Sequence, residues 1–168
     1  MTAAYARAFR PIAGNDAEAH SIAAVHAAGA VVAAVAVGAK RVSARVHDDA
    51  SDTVNYLGVA DPSAAAFIAW AGAWNESRHI AAIGPTAQEV LLSQDVDDPA
   101  SDFSRITALP NGWMTVAERR REWDAAMVRL QPVLQDAVLP LLQFHRIDGP
   151  AERWLLPEVL AAGVHLPG

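Results

Sequence analysis

Six histidines are the side chains best placed to bind a metal or move a proton near neutral pH, and the chain has no cysteine to share that work. The absence of cysteine removes disulfides, Cys-ligated zinc and thiol nucleophiles together. His26 stands apart, as the single ionisable group in the run His26-Ala27-Ala28-Gly29-Ala30-Val31-Val32-Ala33-Ala34. Taken by itself it reads as a core histidine with one hydrogen-bond partner. His20, six residues earlier, falls about a third of a turn off the same helix face. His47 and His79 belong to other elements. Asp102 reads as a first-turn helix acid favoured by the macrodipole.

The remaining polar clusters have plainer readings. Asp95, Asp97 and Asp98 lack the glycine and the terminal bidentate glutamate of a calcium loop, and read as a solvated loop with helix caps. Ser43, Ser101 and Ser104 have no nucleophile-elbow context. Arg119-Arg120-Arg121, flanked by Glu118 and Glu122, reads as a charged helix face with local pairs. A net charge of −6 argues against a nucleic-acid surface, which needs a basic stripe. Trp70, Trp74, Trp113, Trp123 and Trp154 read mostly as core.

These groups need a scaffold. With 168 residues, 52% hydrophobic and 19% charged, the chain has material for one domain with a sizeable core. Asn15 to Glu18 has capping-box spacing and predicts a helix to about Val37, stopped by Gly38. Apolar around most of its circumference, this helix is expected at the centre of the domain. Its apolar stretch, Ile22 to Val37, is 16 residues long, short of the roughly 20 a membrane span needs. Met1 to Asn15 has no long apolar stretch, so no secretory leader is expected. A cytoplasmic protein without membrane or nucleic-acid partners is the expectation.

Lys40 to His47 alternates, with Val42, Ala44 and Val46 on one face, and predicts a strand. Thr53 to Val59 is a weaker strand, able to pair with it across Asp48 to Asp52. Asp61-Pro62 starts a helix that carries Phe67, Ile68, Trp70, Ala71 and Trp74 inward and ends near His79. A short helix is expected around Thr86 to Leu92. Another is expected from Asp98-Pro99 through Asp102 to Leu109, followed by a turn at Asn111-Gly112. Thr115 to Glu118 is a second capping box, opening a helical stretch to about Phe144 that Pro132 and Pro140 must kink or divide. A last helix is expected from Pro150 to Ala162, with Gly163 as its stop. The sum is an α+β fold, mostly helical, with a small sheet or hairpin.

The run from His26 to Ala34 resembles the HEAGHAVVA segment of zinc metallopeptidases of the FtsH type. His26 matches the first zinc ligand of that motif, and Ala28, Gly29, Val32 and Ala34 match flanking positions. Lys40 to Ala44 stands in the place of the family's short edge strand. Ile68-Ala69-Trp70-Ala71-Gly72, with Glu76 four residues on, is similar to its LAG-x-x-x-E helix. Ser101-Asp102-Phe103-Ser104-Arg105 is similar to the segment carrying the third ligand, an aspartate. The resemblance covers residues 16 to 110 well and the rest in pattern only. It implies a zincin-like metallopeptidase domain over residues 1–168, with a motif-bearing part at 1–110 and a helical C-terminal subdomain at 111–168.

The departures carry as much meaning as the matches. The family's general base falls at Ala27 and its second ligand at Ala30. His26 and Asp102 would supply two zinc ligands where three are needed, and nothing would accept the water proton. No cofactor is therefore expected, although an intact relative would carry zinc. Glu76 is expected beside the vestigial site. Trp74 stands where the family has a small residue and is expected to fill the substrate cleft. The function implied is a catalytically inactive, metallopeptidase-like domain that binds another protein or peptide. Two alternatives stay open: a zinc peptidase inactivated by alanine at positions 27 and 30, and a structural or assembly protein.

Overall fold

The computed structural model describes residues 16–79, 90–91, 101–143 and 146–150. Five α-helices and three strands make up this part. They run α1 (Asp16–Ala36), β1 (Arg41–Val46), β2 (Asp52–Leu57), α2 (Pro62–His79), α3 (Asp102–Thr107), α4 (Gly112–Val133), a π-helical turn (Leu134–Val138), α5 (Leu139–Gln143) and β3 (Arg146–Pro150). The fold is mostly helical with a small antiparallel sheet, the α+β class expected.

Helix α1 is the axis of the molecule. Every residue from Ile22 to Val35 is buried, because α2, the sheet and the α4–α5 region surround it. By length and composition α1 could cross a membrane: the most apolar 18 residues within Ala17–Ala36 have a mean hydropathy of 1.7, and 83% of them are buried inside the fold. The helix begins at Asp16, as the capping-box spacing predicts, and so extends ahead of the apolar stretch Ile22 to Val37. Its end is a Schellman motif. Gly38, at φ +92, donates to Val35 O (3.0 Å) while Ala39 donates to Ala34 O (2.9 Å).

The α1–α2 crossing is close because glycines face it from both sides. A Cβ on Gly29 would lie 2.6 Å from Ala71 O, and one on Gly72 would lie 2.6 Å from His26 Nε2. Asn75 Nδ2 donates to Val25 O at 2.7 Å, tying the helices at the same level. Helix α2 starts as its sequence predicts, with Pro62 first and Asp61 Oδ1 accepting from Ser63 N–H at 2.9 Å. Its opposite face meets α4 through Phe67, Trp70 and Trp123, whose ring centroids lie 5.6–5.7 Å apart across the interface.

Strands β1 and β2 form the expected hairpin, in the register Arg41↔Leu57 to Val46↔Asp52. Val42, Ala44 and Val46 are buried as predicted. Asp52, placed in the connection by sequence, instead begins β2 and is 1% exposed. The turn closes one residue earlier: His47 N–H bonds Ser51 O at 2.8 Å, and Asp49 Oδ1 accepts from Ser51 N–H at 3.0 Å. Strand β3 was not anticipated. It pairs antiparallel with the free side of β1, giving the order β2-β1-β3. Five residues ending in Gly-Pro carry no strand signal of their own; the open edge of β1 supplies the template.

Two helix starts also differ from expectation. Ser101 has extended backbone and its hydroxyl accepts from Ser104 N–H at 3.1 Å, so the helix bearing Asp102 begins there and not at Asp98-Pro99. Thr115 to Glu118 lies inside α4, whose first turn forms at Gly112, with Thr115 N–H bonded to Asn111 O at 2.8 Å. Left-handed Asn111 ends the preceding turn, so the helix is already under way at the capping-box sequence. Pro132 remains within α4, and the division falls between the two prolines. There Leu139 N–H reaches back to Leu134 O in a π turn. The caps expected at Asn15 and Gly163, most of the helix around Thr86 to Leu92, the loop Asp95 to Asp98 and the helix from Pro150 lie outside the described residues.

Replacing a helical glycine by alanine ordinarily favours the helix by about 1 kcal/mol. At Gly29 the new methyl meets backbone that cannot yield cheaply. Gly29→Ala is expected to destabilise the protein by about 1–3 kcal/mol, measured by urea denaturation.

Candidate functional site

The site grows from one ring on α1. His26 is 2% exposed, and it occupies the space that Gly72 leaves open on α2. One helical turn beyond Gly72, on the same face, Glu76 Oε2 lies 2.8 Å from His26 Nδ1. On the other side of the ring, Asp102 Oδ2 lies 2.9 Å from Nε2. Asp102 is the first residue of α3, where the helix dipole favours a carboxylate. Its other oxygen faces the Arg105 guanidinium at 3.9 Å. Glu76 and Asp102 are both buried. Three segments separated by 50 and 76 residues thus meet at one imidazole.

An ionised carboxylate only accepts hydrogen bonds, so an imidazole bridging two of them donates from both nitrogens and carries a positive charge. Burial by itself pulls the His26 pKa down. The negative charge of Asp52, followed by the hydrogen bonds to Asp102 and Glu76, outweighs burial and raises it to about 10. For Asp102, burial pushes the carboxyl up, but the hydrogen bond and charge of His26 prevail and hold it below the usual range. Burial pushes the Asp52 carboxyl above its ordinary value. One imidazolium therefore sits among three acidic side chains from three different elements.

The structure brings together His26, Glu76 and Asp102 from the residues singled out by sequence. Ala30 lies one turn along α1 from His26, and Ala27 lies beside it; both are buried and present only methyl groups. Trp74 is on the other face of α2. Its indole Nε1–H donates to Asp124 Oδ1 at 2.8 Å, and Arg78 stacks over the ring at 4.3 Å. It therefore does not fill space beside His26, correcting the placement read from sequence. The remaining described histidines stay apart: His20 borders a small recess with Val46 and Leu142, His47 bonds Thr53 Oγ1 at 2.8 Å, and His79 is exposed at the end of α2.

Asp52 is the site residue that the sequence reading missed. A signal existed: Asp52 is the direct partner of Val46, and directly opposed residues share a face of the sheet. The inward position of Val46 implied that Asp52 also points inward once the register is known.

His26 Nε2 and Asp102 Oδ2, the atoms of the two residues matching zinc ligands, are at hydrogen-bonding distance, 2.9 Å. Among the described residues no group of three or more His, Cys, Asp or Glu side chains is arranged to hold a metal ion. No family model, curated protein or solved structure matches the chain.

The ion pairs have a pH signature of definite sign. The folded pKa of His26, about 10, lies above the unfolded value of about 6.5. Its contribution to stability is fully present below about pH 6.5 and is lost as pH rises through about 10. Asp102 acts oppositely, its depressed pKa adding stability that is lost as pH falls through the folded value. His26→Ala leaves buried carboxylates without their cation and is expected to cost about 3–5 kcal/mol. It should also flatten the alkaline decline seen in urea melts of the wild-type protein.

Proposed function

We propose that the chain is a metallopeptidase-like domain of zincin type that performs no hydrolysis and acts by binding another protein or peptide in the cytoplasm. The observation that carries this reading is the doubly hydrogen-bonded His26. Its Nε2 is engaged by Asp102, the residue matching the third ligand of the family it resembles. A ligating histidine characteristically donates its second nitrogen to a carboxylate, and Glu76 occupies that role. These contacts support the frame of such a site, in which Ala27 and Ala30 supply neither a base nor a ligand.

The binding surface we assign is the outer edge of β2. Among the described residues that strand pairs with β1 on one side only, and Thr53, Asn55 and Leu57 are exposed along it. An extended peptide adds to such an edge through main-chain hydrogen bonds, with side chains entering nearby recesses. Leu57 is 64% exposed, and a recess of about 390 Å³ opens beside the end of the strand, bordered by Gly58, Val59, Phe67 and Arg119.

The same geometry supports a second reading, a zinc peptidase inactivated by alanine at positions 27 and 30, since the matching residues still converge. Elemental analysis of purified protein separates either reading from an active enzyme: less than a tenth of an equivalent of zinc is expected, and stoichiometric zinc would overturn both. Ala27→Glu combined with Ala30→His then divides them. Recovered zinc binding and proteolysis favours the second reading; a folded, metal-free double variant favours the first. A structural or assembly role would appear as a defined oligomer in light scattering. On the first reading, Leu57→Asp is expected to weaken binding of labelled extended peptides about tenfold in fluorescence anisotropy, the loss expected for one apolar anchor.

A further inference from the structure

The face of α2 turned away from His26 builds a second recess, unconnected with the charge cluster. A cavity of about 570 Å³ opens between α2 and α4, within the roughly 300–1,000 Å³ typical of small-molecule sites. Trp70, Trp74 and Trp113 give it an aromatic lining. These rings are held by contacts of their own. Trp70 and Trp74 lie 6.4 Å apart between centroids, and Trp113 packs on Phe103 at 5.7 Å. The lining is fixed by packing before any ligand arrives, which lowers the ordering cost of binding.

The polar groups of the recess are unequal in what they have left to offer. Asp124 is engaged as the acceptor of the Trp74 indole N–H at 2.8 Å. Arg78 sits over Trp74, its Cζ 4.3 Å from the ring centroid, and borders the cavity. Arg120 also borders the cavity. Neither arginine has a carboxylate partner among the described residues. In a chain of net charge −6, this recess is lined by two arginines against one carboxylate, Asp124.

We propose that this recess binds a small planar aromatic carboxylate. The ring stacks among the tryptophans and the carboxylate meets the guanidinium groups of Arg78 and Arg120. Guanidinium and carboxylate match in planar, two-pronged hydrogen bonding. A cation is disfavoured by the two arginines, and a neutral aromatic gains only the stacking part. The proposal is independent of the metallopeptidase reading and survives its failure.

The test is calorimetric titration of the full chain with 2-naphthoate, followed in parallel by quenching of tryptophan fluorescence. Saturable one-to-one binding is expected, with 2-naphthamide at least about tenfold weaker and acetate inactive, because a charge-assisted hydrogen bond and the ring are both required. Arg78 and Arg120 are exposed, so Arg78→Gln with Arg120→Gln should fold normally by circular dichroism and lose about tenfold or more in affinity. Trp113→Ala should weaken naphthoate and naphthamide alike. Absence of saturation at millimolar naphthoate, equal affinity for the amide, or unchanged binding in the folded double-arginine variant would each overturn the proposal.

Discussion

A protonated imidazole buried between two carboxylates is the interaction on which the rest of this structure depends. His26 reaches Glu76 with one nitrogen and Asp102 with the other, so a single ring fixes the mutual positions of α1, α2 and α3. Burying charge is costly, and the cost is offset only when geometry and hydrogen bonding are good on every side. That condition explains several neighbouring features at once. Gly72 leaves room for the ring, Gly29 lets the helix backbones approach, and Asn75 pins the two helices through Val25 O. The alanine-rich character of α1 is what permits such a crossing, since larger side chains would hold the helices apart.

The cluster has a surplus of acid. Asp52, Glu76 and Asp102 surround one cation, and burial pushes the Asp52 carboxyl above its ordinary value. Asp52 acts on His26 through charge, whereas Glu76 and Asp102 also hydrogen-bond it. Helix α2 divides the chemistry of the domain. Gly72 and Glu76 face the charged cluster, while Trp70 and Trp74 face α4 and an aromatic recess. Two separate surfaces thus share one rigid element whose residues Ala66 to Glu76 are all buried.

Elements whose signals are local are legible in the sequence alone. The Gly38 stop, the Asp61-Pro62 start and the inward alternation of Val42, Ala44 and Val46 depend on residues within one turn or one strand, and they stand where the sequence puts them. The elements that differ depend on something distant. Strand β3 exists because β1 offers an open edge to residues more than 100 positions later. The start of α3 follows from the Ser101 cap and not from the nearer-looking Asp98-Pro99 pair. Trp74 was placed by analogy with a small residue in another family. Its indole follows its own hydrogen-bond partner, Asp124, to the opposite face.

By itself, the sequence determined that a long apolar helix would lie at the centre, that a small sheet would accompany it, and that His26 was the ionisable group committed to that interior. Those conclusions rest on periodicity, capping and composition, which act over a few residues. Only the tertiary structure decided what His26 touches, that Asp52 joins its surroundings, and that both ring nitrogens are occupied. The physical reason is range. A charge buried in a medium of low dielectric is governed by whichever groups the fold brings within a few ångströms, and here they come from 50 and 76 residues away.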